Sequence, residues 1–525
     1  MLFLLSIMEE DFDIVVQFHC VNAGFLDIAR PQCSPRYTSQ SGVTGDILSM
    51  GDGYLKTMCV NSALAEAVDG LSARSGKVSA FRLIGTIIVL LAVPSCAFAQ
   101  GVTSSINTGD TAWLLASTAL VLLMTPGLAL FYGGMVRAKN VLSTIMQSFI
   151  AMAIISVMWV LWGYSLAFGP DHWHIIGGLN WIGLHGVGVT PDPNYGPTVP
   201  HEAYMIFQMM FAIITPALFS GAIAERIKLK AYVVFLVLWS TFVYCPLAHW
   251  VWGAGGWLKN MGALDFAGGT VVHISSGVSA LVLAIMIGKR RTDERELMRP
   301  HNLTMTLIGA GLLWFGWFGF NAGSAIAANE HAVNAFVVTH IAAATAALVW
   351  VLLDWKAYGK PTALGAATGA VAGLVAITPA SGFVDPLGAL AIGAGVSCIS
   401  FWAVGLKNRF GYDDTLDVFG VHGVGGMWGA IATGIFAVHL IASDGDPKSS
   451  GFYHQGLLYG DFHQFLVQVF SVLVSVCYAV VMTFILGTIV NKTIGLRVDA
   501  EEETLGLDQS QHGESGYEMF ESGLD

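Results

Sequence analysis

Residues 265–273 read DFAGGTVVH, and residues 414–422 read DTLDVFGVH. In both stretches an aspartate, Asp265 or Asp414, precedes a histidine, His273 or His422, by eight positions. Each stretch begins a segment that is long and apolar enough to cross a bilayer, where an ionisable residue is costly and marks a candidate functional site. The two stretches therefore predict a pair of related histidines inside a polytopic membrane protein.

Composition supports a membrane protein. Of the 525 residues, 54% are hydrophobic and only 11% are charged, whereas about a quarter of a soluble domain is charged. This balance excludes an ordinary soluble enzyme, and the net charge of −12 argues against a nucleic-acid partner. The seven cysteines form no CxxC pair, so the sequence predicts neither a zinc site nor a disulfide framework.

Apolar runs recur along the chain at the length of about 20 residues that a transmembrane helix needs. We therefore expect an all-α fold with eleven transmembrane helices. The runs lie near residues 110–133, 141–168, 202–224, 231–254, 267–287, 302–320, 332–353, 362–378, 383–404, 417–440 and 464–488.

The basic residues predict the orientation of these helices. After residue 100, 16 Lys and Arg lie in one set of connecting segments, and only Lys259 and Lys448 lie in the other set. Cytoplasmic loops are enriched in Lys and Arg, so the first set is predicted to be cytoplasmic. This places the start of the first helix outside and the C-terminus in the cytoplasm.

The two histidine stretches begin the fifth and tenth runs, which are separated by an odd number of spans and so face opposite ways. This pattern predicts an inverted repeat of spans 1–5 and 6–10 plus one extra helix, with the site between the halves. His249, His340 and His439 have no such partner and are interpreted as structural. A metal pair at His273 and His422 lacks a third ligand of suitable spacing.

The N-terminal residues differ from the rest of the chain. Residues 1–75 are interpreted as an extension of doubtful status, with a small extra domain as the alternative. Residues 76–99 predict a signal peptide, because Lys77 and Arg82 precede the apolar stretch Leu83–Val93 and a small-x-small end, Ala97-Phe98-Ala99. The alternative is a twelfth spanning helix. Residues 100–488 are then the membrane domain, and 489–525 a cytoplasmic tail.

Aromatic residues gather on the predicted external side. Trp252 ends the fourth run, Phe207 and Phe211 lie one turn apart on the third, and Phe320 precedes Ser324 at the end of the sixth. Aromatic faces hold cations, and a Ser hydroxyl accepts a hydrogen bond from them. The alternative is the aromatic belt of the membrane interface. Neutral histidines in an apolar pore favour a small polar cargo over a bare ion, which needs a ring of carbonyls or carboxylates.

Several motifs occur in an order that is specific to one family. They include Phe131-Tyr132-Gly133-Gly134, Ala224-Glu225-Arg226, the two Asp–His stretches, and residues 316–324, GWFGFNAGS. Over about residues 108–515 the chain closely resembles the ammonium transporters of the Amt/Mep/Rh superfamily, in particular the bacterial Amt branch.

We interpret Glu225-Arg226 as a solvated ion pair at a cytoplasmic helix end.

The resemblance implies a homotrimer in the bacterial inner membrane, with one pore in each subunit and no cofactor. It also implies a PII-type signal protein as a partner at the cytoplasmic face. The resemblance also assigns residues to the transport path. Phe211, Trp252 and Ser324 form an outer ammonium site, Phe211 and Phe320 form a phenyl gate, and His273 and His422 line the pore. Asp265 lies beneath the outer site, where it shapes the site or assists deprotonation.

These observations lead to a transport hypothesis with two rivals. Ammonium binds at the outer site and loses its proton, and ammonia then passes the gate and the two histidines. One rival is a membrane sensor that binds ammonium and signals through its tail; the other is a channel for another small neutral solute, such as carbon dioxide. An enzyme is disfavoured because the sequence shows no nucleophile–base pair, cofactor loop or metal cluster.

Overall fold

The computed structural model describes residues 106–291, 299–438 and 455–517. The predicted extension 1–75, the predicted signal peptide 76–99 and His439 lie outside these residues. Within them the chain is predominantly helical, and its β-structure consists of one short antiparallel pair, Asp171–His172 with Ile176–Gly177, and one isolated bridge between Ile227 and Arg497.

Nine helices in the described ranges are long and apolar enough to span a membrane. Two more helices, α8 and α10, fall just short in length or hydropathy and complete the set of eleven, which confirms the predicted fold. In chain order they are α1 Thr108–Met135, α2 Ala138–Phe168, α3 His201–Ile223, α4 Leu229–Val251, α5 Gly269–Ile287, α6 Leu303–Ala325, α7 Glu330–Tyr358, α8 Ala363–Ile377, α9 Pro386–Phe410, α10 Phe419–Gly423 continued by Val424–Phe436, and α11 Phe462–Thr493.

Short elements connect these helices at both ends of the bundle. A 3₁₀ segment lies between α2 and α3, and a five-residue helix lies between α4 and α5. A 3₁₀ turn precedes α11, and two short helical turns follow it. In chain order their bounds are Leu179–Leu184, Trp257–Met261, Leu457–Tyr459, Ala500–Leu505 and Asp508–His512.

Polar caps fix where several of these helices begin. A side-chain oxygen at the N-cap accepts a hydrogen bond from a backbone N–H of the first turn, which would otherwise have no partner. Glycines in the left-handed conformation end α7 at Gly359 and α9 at Gly411. The residues that cap in this way are Asn107, Asn302, Asn329, Thr362, Asp385 and Asp461.

The outer surface of the bundle is apolar. Large side chains such as Leu348 on α7, Leu387 on α9 and Phe484 on α11 are more than half exposed. Many Ser, Thr and Gln side chains are instead buried among the helices, including Gln468, which bonds the backbone of Leu264 and Ala430. Apolar residues outward and polar residues inward are expected of a helix bundle immersed in lipid.

The two halves of the bundle repeat one local structure at an offset of 149 residues. Asp265 and Asp414 each accept backbone N–H groups at the start of their helices, α5 and α10. Both helices begin with a π-helical turn, and each turn carries its histidine. The residues that precede these turns, Gly268 and Asp417, both adopt positive φ values, of 120° and 60°. This local symmetry supports the inverted repeat.

Helices α5 and α10 cross in close contact at equivalent glycines. A Cβ atom on Gly277 would overlap the backbone of Gly423, and one on Gly426 would lie 3.0 Å from the Cβ atom of His273. Small residues at such positions allow two backbones to approach. The crossing therefore holds the two histidine-bearing turns against each other in the centre of the bundle.

Candidate functional site

An open cavity of about 340 Å³ lies at one end of the bundle, and we call it the Trp252 vestibule. Its walls come from α3, from the segment between α4 and α5, and from the junction of α6 and α7. The aromatic, polar and charged residues of its lining include Tyr204, Gln208, Phe211, Trp252, Lys259, Asp265, Ser324 and His331. The vestibule brings together Trp252, Phe211 and Ser324, which the sequence places on three different helices.

Aromatic rings form the floor of the vestibule. The ring of Phe211 meets the ring of Trp252 edge-on, with centroids 5.9 Å apart and planes at 87°. On its other side Phe211 lies against Phe320, with centroids 4.3 Å apart and planes at 31°. Both phenylalanines are almost fully buried. A cation in the vestibule would thus lie beside the rings of Trp252 and Phe211, and the rings of Phe211 and Phe320 close the way below it.

Two hydrogen bonds orient the polar groups of the vestibule. The hydroxyl of Ser324 donates to the carbonyl oxygen of Phe320 over 2.8 Å, which leaves its oxygen free to accept. The indole N–H of Trp252 donates to the carbonyl oxygen of Asp265 over 2.9 Å. Both side chains are therefore held in place by backbone atoms of the residues beneath them.

The carboxylate of Asp265 is turned away from the vestibule into the start of α5. One oxygen accepts the N–H groups of Gly268 and Gly269 at 2.7 and 2.6 Å. The other accepts the N–H of Thr270 at 2.7 Å and also its hydroxyl. Asp265 is only 6% exposed. Since both oxygens are occupied, the geometry fits a residue that shapes the site.

A much smaller cavity of about 10 Å³ lies beyond the two phenylalanines. Holding one water molecule takes about 10–15 Å³, so this space fits about one molecule of that size. Apolar side chains make up most of its wall, and His273 and His422 supply its ring nitrogens. The full lining is Met124, Leu128, Phe131, Ile214, Leu218, Val272, His273, Leu313, Trp317, Phe320, Val371 and His422.

His273 and His422 contact each other directly. Their Nδ1 atoms lie 3.3 Å apart, and their ring centroids lie 5.4 Å apart with planes at 29°. For two neutral rings, this contact requires one Nδ1 to donate and the other to accept. The two Nε2 atoms then differ, one being a donor and the other an acceptor. The Nε2 atom of His273 has no protein partner among the described residues.

Trp317 is a contact of the histidine pair that the sequence analysis did not single out. Its ring stacks on His273 with centroids 5.5 Å apart and planes at 20°. Its indole N–H donates to the hydroxyl of Thr378 over 2.8 Å. A usable signal was present, because Trp317 precedes Phe320 by three positions and so lies on the same face of α6.

The other histidines that the sequence places in spans lie away from this path. His249 is fully buried, and its ring nitrogens lie 2.9 Å from the carbonyl oxygen of Ala167 and 2.9 Å from the Asp171 carboxylate. His340 is exposed on α7 and packs against Trp314, with centroids 5.4 Å apart. Their contacts agree with a structural interpretation.

The opposite end of the bundle, which we call the tail face, corrects one sequence interpretation. Glu225 and Arg226 are 1% and 0% exposed, and they do not pair with each other. Glu225 instead bonds Arg137 at 2.9 Å and Arg290 at 3.3 Å. Arg226 donates to Thr415 at 2.6 Å and to backbone carbonyls. The prediction of a solvated pair was wrong, because three helix ends meet over these residues.

The buried carboxylates and arginines of the tail face stabilise each other in their charged forms. Burial raises the pKa of Glu225, but the charges of Arg290 and Arg137 outweigh this effect and leave the pKa below its ordinary value. Burial also raises the pKa of Asp413, and its hydrogen bonds and ion pair with Arg290 bring that pKa down to about 2. Glu225 adopts a φ of 70°, which its buried partners maintain.

The segment after α11 runs across the tail face. The buried carboxylate of Glu503 pairs with Arg497 at 2.8 Å and accepts the backbone N–H of Arg291 at 2.6 Å. The carboxylate of Asp508 accepts the N–H groups of Leu142 and Ser143 at the start of α2, at 3.0 and 2.8 Å. The C-terminal segment is thereby attached to α2 and to the connection that follows α5.

Comparison with known proteins identifies the family. The model of the Ammonium Transporter Family matches residues 112–517. The chain belongs to the ammonium transporter family. An ammonium transporter of Bacillus subtilis (strain 168) is 52% identical over 411 residues, which cover 78% of this chain and 98% of the relative.

Solved structures agree with the family assignment. The crystal structure of Mep2 from Saccharomyces cerevisiae matches with a TM-score of 0.72 and 37% identity, over 80% of this chain and 93% of that chain. A structure described as a Sensor Amt Protein matches with a TM-score of 0.69 and 29% identity, over 77% of this chain and 98% of that chain. The similarity extends over nearly all residues that form the bundle.

Proposed function

We propose that this chain transports ammonium across a membrane, as its relatives' names indicate for them. The observation that carries the proposal is the order of groups along one line through the bundle. Trp252 and Ser324 open onto Phe211 and Phe320, and these lead to His273 and His422. This line gives a cation site, a closed apolar passage and a polar pair, in the order that ammonium would meet them.

In the proposed first step, ammonium binds in the Trp252 vestibule. The faces of Trp252 and Phe211 attract its charge. The oxygen of Ser324 accepts one of its N–H groups, because its own proton is engaged with Phe320. Asp265 shapes this site by holding both the indole of Trp252 and the start of α5. Both carboxylate oxygens of Asp265 already accept backbone N–H groups, which favours this shaping role over direct proton abstraction.

In the proposed second step, ammonium gives up one proton to a solvent water of the open vestibule, which becomes hydronium, and ammonia passes Phe211 and Phe320. A bare cation in the apolar cavity would cost several kcal/mol, and neutral ammonia avoids most of this cost. Beyond the rings, the unlike Nε2 atoms of His273 and His422 offer one donor and one acceptor. Ammonia has both N–H groups and a lone pair, so it can bond with either one.

The arrangement in the cell belongs to the same proposal. We place the protein in the bacterial inner membrane, with the Trp252 vestibule outside and the tail face in the cytoplasm. The signal peptide would be removed during export. The homotrimer and the PII-type signal protein at the tail face, which the resemblance implies, stay predictions.

Ammonium sensing is a second candidate function. The similarity to a structure described as a Sensor Amt Protein favours it. So does the attachment of the C-terminal segment to α2 and to the connection after α5, through which a change in the bundle could reach a partner. A sensor of this kind would bind ammonium at the same vestibule.

Transport is tested with the full chain in proteoliposomes. We expect a saturable response to an ammonium jump and none to a potassium jump. A transient current in that response would mean that the released proton also crosses. A rise of internal pH without current would mean that neutral ammonia alone crosses. The absence of both signals from a folded protein would contradict transport and would favour the sensor.

A further inference from the structure

Lys259 brings a positive charge to the vestibule of a proposed cation transporter. It lies on the short helix Trp257–Met261 between α4 and α5, and it lines the Trp252 vestibule. Its Nζ atom donates a hydrogen bond to the carbonyl oxygen of Trp252 over 3.0 Å. The side chain thus places an ammonium group beside the residue whose ring faces the cargo.

No acidic group of the vestibule compensates this charge, as far as the described residues extend. Lys259 is the one Lys or Arg among the lining residues, and Asp265 is the one carboxylate. Both oxygens of Asp265 are engaged by the start of α5, away from Lys259. The other titratable groups of the wall, Tyr195, Tyr204 and His331, carry no negative charge at neutral pH.

The surroundings also disfavour a cation at this position. Desolvation lowers the pKa of Lys259 from its ordinary value, and no nearby negative charge reverses the effect. The side chain is nevertheless exposed to solvent, where a lysine carries a positive charge at neutral pH. The vestibule therefore carries a fixed positive charge that its walls do not neutralise.

We propose that Lys259 sets the affinity of the Trp252 vestibule for its cargo: its ammonium group repels the incoming cation and raises the concentration that half-saturates transport. This inference rests on the proposed function, since it requires the cation to bind beside Trp252. The hydrogen bond to the Trp252 carbonyl holds the charge at the entrance. Its repulsion therefore opposes both the entry of the cation and its binding. Below the phenylalanines the permeating species is neutral ammonia, so the charge of Lys259 does not affect that step.

The size of the effect follows from Coulomb's law. If the bound cation lies about 7 Å from Nζ, a unit charge at water-like screening changes a dissociation constant roughly two- to threefold. Salt screens this interaction, because the Debye length falls from about 30 Å at 0.01 M to about 3 Å at 1 M. Wild-type KM for ammonium should therefore fall by about twofold from low to high ionic strength, while the maximal rate stays constant.

The test compares Lys259→Met with the charge-retaining Lys259→Arg. Ammonium currents are recorded with the full chain in vesicles of a zwitterionic lipid, and sodium gluconate sets the ionic strength. At low salt we expect Lys259→Met to lower KM about two- to threefold and to abolish its salt dependence. We expect Lys259→Arg to keep the wild-type KM and salt dependence. Lys259→Gln repeats the test with a side chain that can still donate a hydrogen bond.

Two outcomes would overturn the inference. One is a Lys259→Met protein with the wild-type KM and salt response. The other is a Lys259→Arg protein that behaves like Lys259→Met, since this would assign the effect to the contact with the Trp252 carbonyl and not to charge. Trp252→Leu separates this failure from that of the proposed function. If Trp252→Leu leaves KM unchanged, the cation site itself is misplaced; if it raises KM, only the role of Lys259 fails.

Discussion

His273 and His422 are 149 residues apart in the chain, yet their Nδ1 atoms lie 3.3 Å apart at the crossing of α5 and α10. Each ring is carried by a π-helical turn whose first N–H groups are held by an aspartate, Asp265 or Asp414. The glycines Gly277 and Gly426 allow the two turns to touch. The contact between the rings is thus a product of the inverted repeat.

The double substitution His273→Ala with His422→Ala should reduce selectivity for ammonium over potassium by about tenfold or more. Without the rings, the cavity below Phe320 becomes large enough for several water molecules, so the free-energy cost of admitting a partly hydrated cation falls. Currents after ammonium and potassium jumps measure the ratio. His340→Ala, an exposed histidine on α7, is the matched control. Unchanged selectivity in the double variant would refute the role of the pair.

Trp252→Leu should raise the KM for ammonium by about five- to thirtyfold, because a desolvated cation–π contact contributes about 1–2 kcal/mol. The substitution also removes the N–H that bonds the carbonyl of Asp265. Transport kinetics in proteoliposomes provide the measurement. Trp402→Leu changes an exposed tryptophan on α9 and should leave KM unaltered. Equal KM values for the two variants would contradict a cation site at Trp252.

Glu225→Gln should destabilise the protein by about 3 kcal/mol, since it leaves Arg137 and Arg290 without the buried carboxylate that both contact. The thermal unfolding midpoint in detergent is the readout. Glu202→Gln, at an exposed position of α3, serves as the control and should keep the wild-type midpoint. A Glu225→Gln midpoint equal to that of the control would show that the tail face does not depend on this pair.

Acid should weaken the tail face through Asp413. Its pKa is about 2 in the folded protein and about 3.9 in an unfolded chain. A lowered pKa contributes stability above the unfolded value, here about 2 kcal/mol, and that stability is lost as the pH falls from about 4 to 2.

The unfolding midpoint measured against pH tests this expectation with Asp413→Asn. The variant should be less stable at pH 7, because Arg290 loses one of its two carboxylate partners. It should also lose less stability than the wild type between pH 4 and 2. Parallel pH curves for the two proteins would mean that another carboxylate is responsible.

Sequence reasoning located the helices and the paired histidine stretches because their signals are local. Apolar runs of spanning length are unfavourable in water, so they indicate membrane helices directly. The Asp–His spacing that occurs twice at the start of a span is likewise visible in the sequence itself. The interpretation of Glu225 and Arg226 failed for the opposite reason. Two adjacent residues at a helix end look solvated, and only the arrival of Arg137, Arg290 and Thr415 from other elements shows that they are buried.

By itself the sequence determined the class of the molecule, the number of its helices and the pairing of its two histidine stretches. These follow from hydrophobicity and repeat spacing, which need no knowledge of packing. Only the tertiary structure decided what each side chain touches: the carboxylate of Asp265 buried in the start of α5, Trp317 stacked on His273, and Lys259 bonded at the vestibule. Such contacts join residues far apart in the chain, and they are fixed by how helices cross and not by any local pattern.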